Sequence, residues 1–238
     1  MRIDLSMVGA VCAILYAFAL VAALALLAST DLLDADDAAE ILPILDEDKT
    51  IVAIAGWLFV VAPILLAIAG LAFAETLSKT SSMMRVALLA FLGGSLLALI
   101  RNIIWLALIY ELAPAYVDAS DDARSTLAAN GDVWITFGYI AGDLIGGVLV
   151  GGVGVALFSA ALLRADIVPT WIAWLGFAAA LLAGWVTPLA PAAEVFEAIN
   201  FIGLVIFLAW MVAMGLVLWR RSLTVDEGSQ FSRTLPQA

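Results

Sequence analysis

Apolar runs about as long as a membrane-crossing helix recur along this chain and constrain its fold more than any other feature. A helix needs roughly 20 residues, at about 1.5 Å of rise each, to cross a hydrocarbon core of about 30 Å. Six runs have that length, at about 7–29, 51–74, 84–112, 132–163, 168–189 and 195–219. We therefore predict an all-α, polytopic transmembrane helix bundle of six spans. It forms a single domain over residues 1–221, followed by a polar, disordered cytoplasmic tail at 222–238.

Basic residues are distributed unevenly between the two sides of these spans. One side carries Lys49 and Arg124; the other carries Arg2, Lys79, Arg85, Arg164, Arg220, Arg221 and Arg233. Short loops rich in Arg and Lys stay in the cytoplasm. We therefore predict a multi-pass protein of the cell (plasma) membrane with both termini cytoplasmic.

Acidic residues concentrate on the predicted outer side, in the stretches 31–50 and 113–132. The first stretch also contains the apolar run Ile-Leu-Pro-Ile-Leu at 41–45. An apolar run beside a membrane favours an interfacial position. We predict that this run lies on the membrane surface as a short turn.

The residue types present exclude several classes of membrane protein. The chain has no histidine and one cysteine, Cys12. Bis-histidine haem sites, histidine-ligated copper and zinc-dependent proteolysis therefore lose their usual ligands. No catalytic serine or cysteine stands in a recognisable turn, and we expect no enzyme, no metal and no cofactor. The net charge of −11 argues against nucleic acid as a partner.

Arg101 and Asp143 are ionisable residues deep inside apolar runs. Each lies about 11 residues from the predicted outer end of its span, and the two spans are consecutive and antiparallel, so the side chains reach the same depth. An unpaired charge at that depth costs several kcal/mol. We predict an Arg101–Asp143 ion pair assisted by Asn102 or Tyr139.

Polar residues continue from this pair towards the predicted outer side. Intervals of three and four residues place Asp132, Thr136, Tyr139 and Asp143 on one face of the fourth span. We predict a polar vestibule open to the outer side. Its candidate binding residues are Arg101, Asn102, Trp105, Thr136, Tyr139, Asp143, Glu197 and Asn200.

Two kinds of residue are expected to shape the helices around this site. Pro63, in the second span, and Thr187-Pro188, at the end of the fifth, predict a kink and a helix end. The small residues of Gly147-x-x-x-Gly151 favour close helix packing.

A family resemblance rests on the stretch at 156–177, ALFSAALLRADIVPTWIAWLGF. It consists of an apolar helix, a short basic turn with a proline, and a helix that opens on an aromatic residue and Leu-Gly. This pattern resembles a bacterial and archaeal family of small polytopic membrane proteins, domain of unknown function 4386. The resemblance implies a helical integral membrane protein; it implies no activity, and no site residue is carried over.

These patterns leave two functions open. The first is a non-catalytic integral membrane protein with a polar, outward-facing intramembrane site, acting as a binding or accessory component of a membrane assembly. Its partners would be the lipid bilayer and a homo-oligomer or larger complex. The alternative is a small ion or solute transporter or channel that uses Arg101 and Asp143. The pair could also be a structural clasp, an ion pair that only holds two helices together. Access of water to Asp143 distinguishes a binding site from such a clasp.

Overall fold

The computed structural model describes residues 4–77, 82–165 and 168–233, and the regular structure in those ranges is entirely helical. This confirms the all-α prediction. Short 3₁₀ turns lie at Asp31–Asp34 and Thr187–Ala192. The helices are α1 (Leu5–Leu27), α2 (Ala38–Glu47), α3 (Lys49–Leu77), α4 (Ser82–Val117), α5 (Asp121–Arg164), α6 (Thr170–Trp185) and α7 (Glu194–Arg233).

Each predicted apolar run coincides with one of these helices. Among the described residues, five helices are long and apolar enough to cross a membrane: α1, α3, α4, α5 and the Val195–Leu223 part of α7. The remaining run, at about 168–189, corresponds to α6, a shorter apolar helix. The length and composition of the five indicate a multi-pass membrane protein.

α4 and α5 continue well beyond the thickness of a bilayer core. They contain 36 and 44 residues, respectively, which corresponds to roughly 54 and 66 Å of helix. Much of the stretch 113–132 is therefore helical. Arg124 stabilises the turn between the two helices because its guanidinium donates to the carbonyl oxygens of Tyr116 (3.2 Å) and Val117 (2.8 Å). These carbonyls lie in the last turn of α4, where helical donors are missing.

The long helices form a closed ring. Each packs against the preceding and following helix, and α7 packs against α1. Four fully buried aromatic side chains, Phe73, Phe91, Phe158 and Trp210, fill the interior at one level. Their rings meet edge to face with centroids 5.4–6.5 Å apart, a favourable aromatic geometry. This aromatic cluster closes the ring at that level.

Glycine allows α5 and α6 to approach each other closely. A Cβ on Gly151 would lie 3.3 Å from the Cα of Gly184, and a Cβ on Gly184 would overlap the backbone of Gly152. The close packing predicted for Gly147-x-x-x-Gly151 is thus present at Gly151, whereas Gly147 has only ordinary contacts with Thr187.

The end of the chain differs from the expected outline. α7 continues as a helix to Arg233, so most of the stretch 222–238 is helical. Residues 234–238 lie outside the described residues.

Candidate functional site

Arg101 of α4 and Asp143 of α5 form an ion pair, as predicted. Nε of Arg101 lies 3.1 Å from Oδ2 of Asp143, and the two side chains are 29% and 34% exposed. Both charges are therefore compensated. Because about a third of each side chain stays accessible, the pair is not sealed inside packed side chains.

Glycines of α5 make room for the arginine. A Cβ on Gly142 would lie 2.6–3.1 Å from three carbons of the Arg101 side chain, and a Cβ on Gly138 would lie 3.4 Å from its Cγ. The stem of Arg101 therefore crosses α5 over these two glycines, one helical turn apart. This crossing brings the guanidinium to Asp143.

Asn102 has a different partner from the one expected. Its Nδ2 donates to the backbone carbonyl of Phe59 in α3, at 2.6 Å, and it does not assist the ion pair. Phe59 lies four residues before Pro63, which has no N–H to donate to that carbonyl. Asn102 thus supplies the hydrogen bond that the proline removes. The interaction joins α4 to α3 in the turn that precedes Pro63.

Tyr139 does not assist the pair either. Its hydroxyl oxygen is buried and has no hydrogen-bond partner among the described residues.

A cavity of about 670 Å³ lies inside the ring, next to the ion pair. All seven helices contribute to its lining, which is mostly apolar. The predicted site residues that line it are Arg101, Asn102, Trp105, Tyr139, Asp143 and Asn200. Thr136 and Glu197 are exposed and lie outside the lining. The structure therefore brings six of the eight candidate residues together.

α2 packs on one end of the bundle, which we call the α2 end. Ile41, Leu42 and Leu45 are buried in an apolar cluster with Leu108 and Ile109 of α4. The stretch 41–45 is therefore part of a helix and not the expected short turn. Protein covers its buried side chains, because α2 has an apolar face that fits the ends of α4 and α5. Ile41 also lines the cavity, together with Leu32 and Leu33 of the preceding turn.

Asp132 holds α2 in this position. Its Oδ1 accepts a hydrogen bond from the backbone N–H of Ala38, at 2.9 Å, in the first turn of α2. The carboxylate satisfies an orphan donor and lies at the positive end of the helix dipole. Asp132 therefore anchors α2 and does not line the cavity.

Comparison with known families places the whole bundle in one of them. Residues 7–215 match the family described as a domain of unknown function, DUF4386. The chain belongs to the DUF4386 family. The resemblance seen at 156–177 is thereby confirmed and extends over most of the chain. No curated protein and no solved structure matches the chain.

Sequence reasoning missed two polar side chains of this DUF4386 cavity, Tyr16 and Thr187. The hydroxyl of Thr187 lies 2.7 Å from the carbonyl oxygen of Ala183 and 2.9 Å from Oδ1 of Asn200. It links the end of α6 to α7, and it lines the cavity. Thr187 and the adjacent Pro188 were used only to predict the end of the helix. The position of the Thr187 hydroxyl at the end of an apolar span was the sequence signal that could have identified it.

The glycines beside Arg101 were also missed. Gly138, Gly142 and Gly146 follow one another at intervals of four, the spacing at which helices approach closely. Close packing was predicted instead for the later glycines, Gly147 and Gly151. The earlier series, Gly138 to Gly146, could have predicted which face of α5 packs against Arg101.

π-helical segments explain why the predicted face of α5 was partly wrong. Tyr139–Gly146 and Val148–Gly154 are π-helical, and so is Ala180–Trp185 in α6. A π-helical hydrogen bond spans five residues, so side chains rotate away from the α-helical spacing. Thr136 precedes the first π-helical segment, and the spacing that joined it to Asp143 does not hold.

Proposed function

We propose that this protein binds a small amphipathic molecule inside the membrane, within the cavity that its helices surround. One observation carries the proposal: the cavity of about 670 Å³ has mostly apolar walls, and the only charged side chains among the described residues that line it are the paired Arg101 and Asp143. Small-molecule sites in proteins have volumes of about 300–1,000 Å³, apolar walls and a few convergent polar groups. An apolar body with one polar end matches this distribution.

Accessibility of the ion pair supports a site over a clasp. A purely structural pair would be surrounded by packed side chains. Here the Arg101 and Asp143 side chains are 29% and 34% exposed and form part of the cavity wall. A molecule in the cavity could therefore contact both.

The aromatic cluster supports a binding cavity over an open channel. Phe73, Phe91, Phe158 and Trp210 are fully buried and in mutual contact. An open channel would need a continuous path through the bundle, and these rings occupy its interior on the far side of the cavity. Binding, as a non-catalytic component of a membrane assembly, fits this closure.

The proposal includes an orientation. The protein has six spans in the cell membrane, its termini are cytoplasmic, and the cavity is reached from the outer side at the α2 end. The uneven distribution of basic residues supports this arrangement.

A cavity-filling substitution tests the proposal. Ala98 lines the cavity, so Ala98→Phe removes space for a ligand. Ala107 lies on the same helix, is exposed and is outside the lining, so Ala107→Phe is the matched control. Wild type and each variant are purified from their native membranes, extracted with solvent and analysed by mass spectrometry.

We expect wild type and Ala107→Phe to retain the same amphipathic compound near one per chain, and Ala98→Phe to lose most of it. Identical extracts from all three proteins would contradict the proposal. So would a wild-type extract that contains only bulk lipid.

A further inference from the structure

The cavity lining is electrically neutral. Among the described residues that line it, Arg101 and Asp143 are the only charged ones, and they are paired. The remaining polar side chains are neutral: Tyr16, Asn102, Trp105, Tyr139, Thr187 and Asn200. The lining therefore has no spare charge to compensate a charged ligand.

The geometry of the pair leaves hydrogen-bonding capacity on both partners. The contact joins Nε of Arg101 to Oδ2 of Asp143, side-on. Within the described part of the chain, neither side chain has another hydrogen-bond or ion-pair partner. A guanidinium has five N–H donors, more than one carboxylate can accept in a side-on contact, and a carboxylate has about four acceptor sites. A guanidinium only donates and a carboxylate only accepts. The cavity thus presents free donors beside a free acceptor.

A charged ligand would disturb this balance. A carboxylate on the ligand would compete with Asp143 for Arg101, and an ammonium group would compete with Arg101 for Asp143. Either would leave one net charge in an environment of low dielectric constant, which is unfavourable. An uncharged head group that both donates and accepts can bind to both partners without separating them.

Resting on the proposed function, we infer that the ligand is an uncharged amphiphile whose head group both donates and accepts hydrogen bonds, such as an alcohol or an amide. The head group accepts a hydrogen bond from the Arg101 guanidinium and donates one to the Asp143 carboxylate. Its apolar chain lies along the apolar walls, which include Leu20, Leu24 and Leu204.

Three probes with the same chain and different head groups test this inference. They are decanol, decanoate and decylamine, each brominated on the chain so that it quenches nearby tryptophan fluorescence. The full-length protein is reconstituted in phosphatidylcholine nanodiscs at a pH at which both charged probes are ionised. Trp105 lines the cavity, and a Trp105→Phe variant gives the quenching that arises from the other tryptophans.

We expect brominated decanol to quench Trp105 at a concentration on the order of tenfold lower than either charged probe, because an uncompensated charge costs at least the free energy of a tenfold change in affinity. Tighter binding of decanoate or decylamine would overturn the inference about the head group and leave the proposed function standing. If no probe quenches wild type more than Trp105→Phe, both fail.

Charge variants of the pair provide a second test. Asp143→Asn leaves one positive charge in the lining, so decanoate should become the tightest probe. Arg101→Gln leaves one negative charge, so decylamine should become the tightest. An unchanged ranking in two folded variants would overturn the inference. If a variant does not fold, the wild-type ranking still decides the matter.

Discussion

Gly142 determines where Arg101 can lie. Any larger residue would place its Cβ 2.6–3.1 Å from the arginine stem, so the stem would have to leave the surface of α5. The guanidinium reaches Asp143 because two small residues, Gly138 and Gly142, leave a path across the helix. The ion pair therefore depends on the absence of a side chain at these two glycines as well as on the two charges.

Replacing one residue of the ion pair should destabilise the protein more than replacing both. We expect Arg101→Leu to lower the free energy of unfolding by about 1–3 kcal/mol, less than the cost of breaking a fully buried pair because a third of each side chain is exposed. The double variant Arg101→Leu/Asp143→Leu should lose less than the single variant, because no charge is left without a partner. Denaturant titration in detergent measures both.

A double variant that loses the sum of two single losses would contradict this coupling. Ile103→Ala, an exposed position on the same helix, is the control and should change stability little.

At the scale of helices, α3 and α4 are joined where α3 loses a backbone hydrogen bond. Pro63 removes the donor for the Phe59 carbonyl, and Asn102 replaces it at 2.6 Å. The proline would otherwise leave a polar group without a partner in an apolar environment, which is costly in a membrane. The proline and the asparagine therefore act as one unit, although they lie on different helices.

This unit predicts a coupling between two substitutions. Asn102→Leu should destabilise the protein by about 1 kcal/mol, because the Phe59 carbonyl loses its partner. In a Pro63→Ala background the same change should cost less, because the introduced alanine has an N–H that can bond to that carbonyl. Unfolding free energies of the four proteins give the coupling directly. Equal costs in both backgrounds would show that the hydrogen bond does not compensate for the proline.

α2 is held by contacts that are local to the α2 end. A Cβ on Gly131 of α5 would lie 2.8 Å from the Cβ of Ala38, and the neighbouring Asp132 accepts from the Ala38 N–H. The close approach and the hydrogen bond fix the first turn of α2. Leu42 and Leu45, on its apolar face, are buried against the bundle. The helix thereby covers apolar ends of α4 and α5 that would otherwise be exposed.

At the scale of the molecule, the ring has two unlike halves. Aromatic rings fill one level, and the cavity occupies the other, beneath α2 and the turn at Asp31–Asp34. A molecule could enter such a cavity only from the α2 end or between helices. Orientation in the membrane therefore decides which compartment would supply the proposed ligand.

Cysteine labelling tests the proposed orientation. The only native cysteine, Cys12, is replaced by serine, and single cysteines are introduced at two exposed positions at opposite ends of the bundle, Asp36 and Ser82. We expect a membrane-impermeant maleimide to label Asp36→Cys in intact cells and Ser82→Cys only after permeabilisation. The reverse pattern would show that the termini are not cytoplasmic and that the cavity faces inwards.

The sequence by itself determined the helical class, the positions of the apolar helices and the pairing of Arg101 with Asp143. These properties are local or follow from depth: hydrophobic length selects a spanning helix, and two charges at equal depth on consecutive antiparallel helices must pair. The runs predicted at 7–29 and 51–74 accordingly lie within three residues of the observed ends of α1 and α3.

Only the tertiary structure decided the cavity, the partner of Asn102, the link between Thr187 and Asn200, and the packing of α2. These depend on how each helix is rotated about its axis and how closely its neighbours approach. Hydropathy does not encode that rotation, and the π-helical segments of α5 shift it away from the usual spacing. Thr136 and Glu197 were placed at the site by position along the chain, but helix rotation leaves them outside the cavity.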